Sequence, residues 1–251
     1  MLKQAEPVAS ELRELGPVSV RACTTRAATR DIVNAVLSKS PLRVAFANTH
    51  LLYCAVQDRA FAETLKPFYI VNDGIGLTLL TRARCGRGYP DNLNGTDFTP
   101  RVLAALPWGV RVMLVGAKPD VVRRAAARMA HRWPHLDICA HHDGFDGAKA
   151  AQNEIKRVEP DLVLVAMGNP HQEKWIAQAS ALHPRAVYMG VGALFDFIAG
   201  AVPRAPERVR QLRLEWAYRL SREPERLWRR YTIEVLVVLA ALMRAPRARM
   251  G

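Results

Sequence analysis

Cysteine is scarce and scattered in this chain of 251 residues. Cys23, Cys54, Cys85 and Cys139 form no CxxC pair and have no histidine at metal-ligand spacing, which excludes a disulfide framework and a finger-type zinc site. They read as reduced thiols in or near a core. Long apolar runs are missing as well: Ile233 to Met243 is interrupted by Glu234 and falls short of the roughly 20 residues that a spanning helix needs. Met1 to Gly16 carries Lys3, Glu6, Glu11, Arg13 and Glu14 without an apolar segment, so no secretion signal is expected and the chain is expected in the cytoplasm. Several catalytic signatures are absent too. There is no GxxxxGK phosphate loop and no GxSxG elbow, and neither Gly74-Ile75-Gly76 nor Gly190-Val191-Gly192 has the third glycine of a dinucleotide fingerprint. No Asp-x-Asp pair is present to hold a metal against a nucleotide-sugar diphosphate, so such a leaving group requires another source of positive charge.

Acidic residues are outnumbered. The formal net charge is +13, and from Ala201 onward twelve arginines face five glutamates. A basic tail points to an anionic partner: nucleic acid, an anionic membrane leaflet or a phosphorylated substrate. Trp216, Trp228 and the apolar run favour a membrane surface over a nucleic-acid groove, which has no use for that run. In one continuous helix from Leu212 to Tyr231, Arg219, Arg222, Arg226 and Arg229 share a face, with Trp216, Leu220, Leu227 and Tyr231 beside them. Pro224 argues for a break in that helix.

Half the residues are hydrophobic, enough for a buried core, and short β-branched runs recur along the chain. Leu42 to Phe46, Phe68 to Val71, Val110 to Val115, Leu136 to Cys139, Leu162 to Ala166 and Ala186 to Met189 read as strands. His50 to Leu65, Pro119 to Trp133, Ala148 to Val158 and Gln172 to Leu182 read as helices between them. The alternation predicts an α/β, Rossmann-like, mostly parallel sheet with helices on both faces. A composition shift at Pro203-Arg204-Ala205-Pro206 divides a core, residues 1–203, from a basic helical appendage, residues 204–251.

Such sheets bind ligands beyond the carboxyl ends of their strands. Those ends supply Asn48-Thr49-His50, Asn72-Asp73-Gly74-Ile75-Gly76, Gly116-Ala117-Lys118, His141-His142-Asp143-Gly144, Gly168-Asn169-Pro170-His171-Gln172-Glu173 and Gly190-Val191-Gly192. Asp73 is either an N-cap or a general base whose neighbouring glycines let a substrate approach the backbone. Gln172 and Glu173 fall in the first turn of a helix, where free N–H groups and side-chain amides face a ligand or simply cap the turn. Two rivals remain on these grounds: an NAD-linked oxidoreductase, weakened by the incomplete fingerprints, and a non-enzymatic basic protein that binds membrane or nucleic acid.

Asp73-Gly74-Ile75-Gly76, the block from Pro160 to Trp175, Gly190 to Phe197 with Arg204-Ala205-Pro206, and the tail from Leu214 to Tyr231 together resemble the WecG/TagA/CpsF glycosyltransferases, glycosyltransferase family 26. The resemblance runs from about Leu42 to Tyr231. It implies an inverting, metal-independent transferase without a cofactor. Such an enzyme moves N-acetylmannosamine, its uronic acid or a hexose such as glucose from a UDP-sugar to a polyprenyl-diphosphate-linked saccharide. It would work peripherally on the cytoplasmic face of a bacterial plasma membrane, with self-association left open.

By the same resemblance Asp73 is the base, Gln172 contacts substrate, and Arg219, Arg226 and Arg229 complete the site. Substrate contacts are expected from Asn48, Thr49, Asn72, Gly74, Gly76, Asn94, Asp97, Gly116, Ala117, Asp143, Gly144, Gly168, Pro170, Glu173, Gly190, Gly192 and Asp196. Two departures stand out. Phe46 occupies a position where many members have threonine, leaving Thr49 or His50 to serve, and the family's Arg-Val-x-Gly-x-Asp segment begins with Asn92 and ends with Asp97 here.

Overall fold

Side chains two apart on a strand share one face of a sheet, and strands apolar on both faces need helices above and below. The computed structural model describes residues 11–206, 209, 215–222 and 224–244. Its strands are β1 (Glu11–Leu15), β2 (Val18–Ala22), β3 (Leu42–Ala47), β4 (Tyr69–Asn72), β5 (Arg111–Gly116), β6 (Asp137–His142), β7 (Leu162–Ala166) and β8 (Val187–Gly190). Its helices are α1 (Thr25–Leu37), α2 (Thr49–Gln57), α3 (Arg59–Leu65), α4 (Ile75–Cys85), α5 (Gly95–Ala105), α6 (Pro119–Arg132), α7 (Gly147–Val158), α8 (His171–Leu182), α9 (Leu194–Ile198), α10 (Glu215–Arg222), α11 (Pro224–Tyr231) and α12 (Ile233–Arg244).

The strands form one sheet in the order β1-β2-β4-β3-β8-β7-β5-β6, parallel except for the β1/β2 hairpin. The predicted α/β fold with helices on both faces is what the chain adopts. Leu162, Leu164 and Ala166 of β7 pack in the layer shared with α1, α5, α6 and α9, while Val163 and Val165 belong to the layer of α2, α3, α4, α7 and α8. From β5 the chain passes through α6 to β6 on one side, and from β7 through α8 to β8 on the other. The winding therefore reverses between β5 and β7, which opens a crevice at their carboxyl ends. Gly116 lies there with φ +131°, and a Cβ on it would sit 2.4 Å from the Ala166 carbonyl oxygen.

Two local readings change and a third is decided. The hairpin β1/β2 was not expected, because Glu11, Arg13 and Glu14 mask an alternation that buries Leu15, Val18 and Val20. His50 to Leu65 is two helices, since the Asp58 carboxylate accepts the Phe61 N–H at 3.0 Å and starts α3 anew. The third concerns the tail. The Trp216 and Tyr231 rings meet edge-on with centroids 5.9 Å apart, whereas one continuous helix would separate their backbones by about 22 Å. The chain therefore turns back between them, as Pro224 predicted, and the common face for Arg219, Arg222, Arg226 and Arg229 on a single helix is not formed.

The appendage also returns to the core. In α12, Val238 and Leu242 stand one helical turn apart and are buried in the layer of α2, and Glu234 Oε2 lies 2.6 Å from His50 Nδ1. Leu236 and Met243, on the outer side, remain 65% and 77% exposed, so the apolar run divides between the core and the surface. Among the described residues no helix is long and apolar enough to cross a membrane.

At Gly116 an added methyl meets backbone rather than a movable side chain, and its φ is one that other residues resist. Gly116→Ala is expected to destabilise the fold by about 3 kcal/mol, read as a lower denaturant midpoint in equilibrium unfolding.

Candidate active site

The carboxyl edge is built first from β3 and β4. Asn48 caps α2, its side-chain oxygen accepting the Leu51 N–H at 3.0 Å, and Thr49 opens the helix with its methyl against Gly76. The Asp73 N–H donates to the Ala47 carbonyl at 2.7 Å, which ties the residue after β4 to the end of β3. Gly74, not Asp73, takes the cap position of α4, with φ +86°. The half-buried Asp73 therefore stands one residue before the cap, at the edge itself. Asn72 is fully buried and donates through Nδ2 to the Asp91 carbonyl at 2.9 Å. Its work is to tie the loop before α5 to the sheet.

At the ends of β7 and β8 the amide of Gln172 is used by the protein. Its Oε1 accepts the Gly168 N–H at 3.2 Å and the Gly192 N–H at 3.1 Å, and its Nε2 donates to Glu173 Oε1 at 2.8 Å. Gln172 is only 2% exposed, and its amide braces two glycine turns from behind. Gly190 makes room for it, because a Cβ there would lie 2.8 Å from Gln172 Nε2. Glu173, also expected at the substrate, is fully buried and accepts a second bond from Asn169 Nδ2 at 2.8 Å. Pro170 sits before α8, after a cis peptide bond, and His171 is exposed.

The ends of β5 and β6 are pressed together. The Gly144 N–H donates to the Ala117 carbonyl at 2.9 Å, and a Cβ on Gly144 would come within 3.1 Å of Gly116 Cα. Asp143 Oδ1 accepts the N–H groups of Phe145 and Gly147 at 2.8 and 3.3 Å, so its carboxylate shapes the turn into α7. These residues form a close backbone wall whose Ala117, Gly144, Phe145 and Gly147 N–H groups are all bonded within the protein.

Asn94 caps α5, accepting from the Asp97 N–H and Thr96 Oγ1 at 2.9 and 2.8 Å. Asp97 in turn pairs with Arg204, whose Nη2 also donates to Thr96 Oγ1 at 3.1 Å and whose guanidinium lies over the Phe197 ring. Arg204, which the sequence offers only within the Arg204-Ala205-Pro206 motif, clamps the segment after α9 onto α5. Asp196 lies in the first turn of α9 and is half-buried. Phe46 is buried in the core beneath α5, with Gly95 against its ring and Phe98 edge-on at 6.1 Å. The family's threonine position is thus filled by packing.

Arg229 is exposed on α11, while the side chains of Arg219 and Arg226 lie outside the described residues. Among the described residues no group of three or more His, Cys, Asp or Glu is placed to hold a metal ion.

Burial pushes the Glu173 carboxyl up to about 7 from an ordinary 4.5, against hydrogen bonds from Gln172 and Asn169 that favour the carboxylate. The native state holds this proton more tightly than the unfolded chain, which ionises first as pH rises. Glu173's contribution to stability is therefore greatest below pH 4.5, falls between pH 4.5 and 7 and is level above. Glu173→Gln keeps the acceptor oxygen and removes the proton. Across that window the variant should gain about 3 kcal/mol on the wild type in denaturant unfolding.

Comparison with known proteins identifies the family. The sequence model described as the Glycosyl transferase WecG/TagA/CpsF family matches residues 13–250. Over 190 residues, 74% of this chain and 73% of the relative, 34% of positions are identical to an N-acetylglucosaminyldiphosphoundecaprenol N-acetyl-beta-D-mannosaminyltransferase of Bacillus subtilis (strain 168). With a match that spans nearly the whole chain and a relative of that class aligned over most of both lengths, the chain belongs to the WecG/TagA/CpsF family of glycosyl transferases.

Proposed function

We propose that this glycosyltransferase moves a sugar from a UDP-sugar, with inversion, to a hydroxyl of a polyprenyl-diphosphate-linked saccharide. The observation that carries the reading is Asp73: a half-buried carboxylate at the carboxyl edge of the sheet, with its backbone bonded to the neighbouring strand and glycines beside it. The B. subtilis relative's name supports N-acetylmannosamine as the donor sugar and diphosphate-linked N-acetylglucosamine as the acceptor. Membership of a glycosyl transferase family displaces the oxidoreductase and non-enzymatic alternatives.

In this reading Asp73 takes the proton of the acceptor hydroxyl as its oxygen attacks the anomeric carbon. The carbon–oxygen bond to the acceptor forms on the side opposite the departing UDP, whose bond to the sugar breaks. Binding both partners along one edge supplies the alignment that an in-line displacement needs. The Gly116-Ala117, Asp143-Gly144, Gly168 and Gly190-Val191-Gly192 turns form the donor side. Arg219, Arg226 and Arg229 are the proposed counter-charges, since a planar guanidinium binds phosphate oxygens in pairs and no Asp-x-Asp pair is present to bring a divalent ion. They neutralise the diphosphate of the donor or that of the acceptor.

An acceptor anchored in lipid requires the enzyme at a membrane surface. Trp216, Trp228, Leu236 and Met243 are exposed on the appendage together with Arg222 and Arg229, a combination that suits an anionic leaflet on the cytoplasmic side, where UDP-sugars are made.

Two measurements test this. Asp73→Asn is expected to lower turnover about 10³-fold while unfolding within about 1 kcal/mol of wild type; retained turnover removes Asp73 from the role of base. A panel of UDP-N-acetylmannosamine, its uronic acid, UDP-N-acetylglucosamine and UDP-glucose, offered with a synthetic polyprenyl-diphosphate N-acetylglucosamine and chelator, should show transfer from the first. Activity that vanishes in chelator and returns with a divalent ion would overturn the metal-free mechanism.

A further inference from the structure

The loop between α4 and α5 passes directly beside the proposed base, and four consecutive residues of it are each anchored. Asp91 accepts the Thr25 N–H through Oδ2 at 2.6 Å and the Asn72 side chain through its carbonyl at 2.9 Å. Asn92 Oδ1 accepts the Gly74 N–H at 2.9 Å. Leu93 is fully buried, and Asn94 caps α5. Asn92 is thus held from both sides, and its side chain reaches the peptide that joins Asp73 to Gly74.

That peptide is one of two that set the direction of the Asp73 side chain. The Asp73 N–H is bonded to the Ala47 carbonyl at 2.7 Å, and the next N–H, that of Gly74, is bonded to Asn92. Together the two bonds restrict the backbone torsions on either side of the Asp73 Cα, and with them the vector along which the carboxylate leaves the chain. Gly74 adds φ +86° and ψ 164°, a conformation that glycine alone adopts readily, so the Asn92 bond to its N–H bears directly on the geometry of this turn. A base displaced by an ångström loses its hydrogen bond to the hydroxyl it must deprotonate.

The geometry points to Asn92 as a positioning residue for Asp73, acting through the Gly74 N–H. This inference rests on Asp73 being the base. The bond needs an acceptor at position 92, which asparagine and aspartate carry and arginine does not. Where the family's segment has an arginine, this chain thus carries an oxygen that bonds the turn.

The test uses the full-length protein with UDP-N-acetylmannosamine and polyprenyl-diphosphate N-acetylglucosamine. Asn92→Ala and Asn92→Arg, which both lack the acceptor, are expected to lower kcat 10- to 100-fold, with both KM values within about threefold of wild type. Amide hydrogen exchange should quicken at residues 73–76 and stay unchanged in the central strands. Asn92→Asp keeps the oxygen and should recover most of kcat. Its added negative charge next to Asp73 should also move the acid limb of kcat/KM to higher pH.

Wild-type kcat in the alanine variant overturns the proposal. So does an aspartate variant no better than alanine with its acid limb unmoved. Asp73→Asn run in parallel separates the two claims: if it is active, the base assignment fails, and if it is inactive while Asn92→Ala is unimpaired, only the role of Asn92 fails.

Discussion

The carboxamide of Gln172 lies behind the turns that follow β7 and β8, and its single carbonyl oxygen accepts an N–H from each, so the spacing of those turns holds only while that side chain stays buried. The arrangement dictates its neighbours. Gly190 has no side chain because the amide occupies that space, and Glu173 fixes which end of the amide faces the turns by accepting from its nitrogen. An acid without solvent is the consequence, held near neutrality in its titration by the same burial that keeps water from competing for the bonds. Along the crevice Gly116 meets the Ala166 carbonyl, and the backbone wall there has no freedom to compensate if the brace slips.

Much of the fold was legible because parallel strands covered on both faces are plain apolar runs. The six expected segments all correspond to strands, from β3 to β8, with ends shifted by a few residues. The hairpin escaped notice because an edge strand needs apolar residues on only one side, and β1 carries Glu11, Arg13 and Glu14 among its five positions. Asp58 hid a helix boundary inside a continuous apolar pattern, since periodicity persists across a cap.

For the candidate site, placement at the strand ends was legible and the partners of each side chain were not. The strand-end rule located Asp73, Gly116, Gly168 and Gly192, because it depends on topology alone. It does not say which polar side chains face outward. Asn72, Gln172 and Glu173 look like binding residues in sequence, and in the structure they are buried and hydrogen-bonded to the protein itself. Asn92 and Arg204 work through partners distant in the chain, Gly74 and Asp97, and no local spacing reveals such pairs.

The docking of α12 carries a meaning for how this chain can be divided. Its acid Glu234 meets the first turn of α2 at His50, and its two inward residues enter the same apolar layer as the sheet. A tail attached this way is a fitted part and not a modular tag. A hybrid joining this core to another relative's appendage must bring an acid and two apolar side chains at matching heights, or leave the roof of α2 open beside the residues that begin the site.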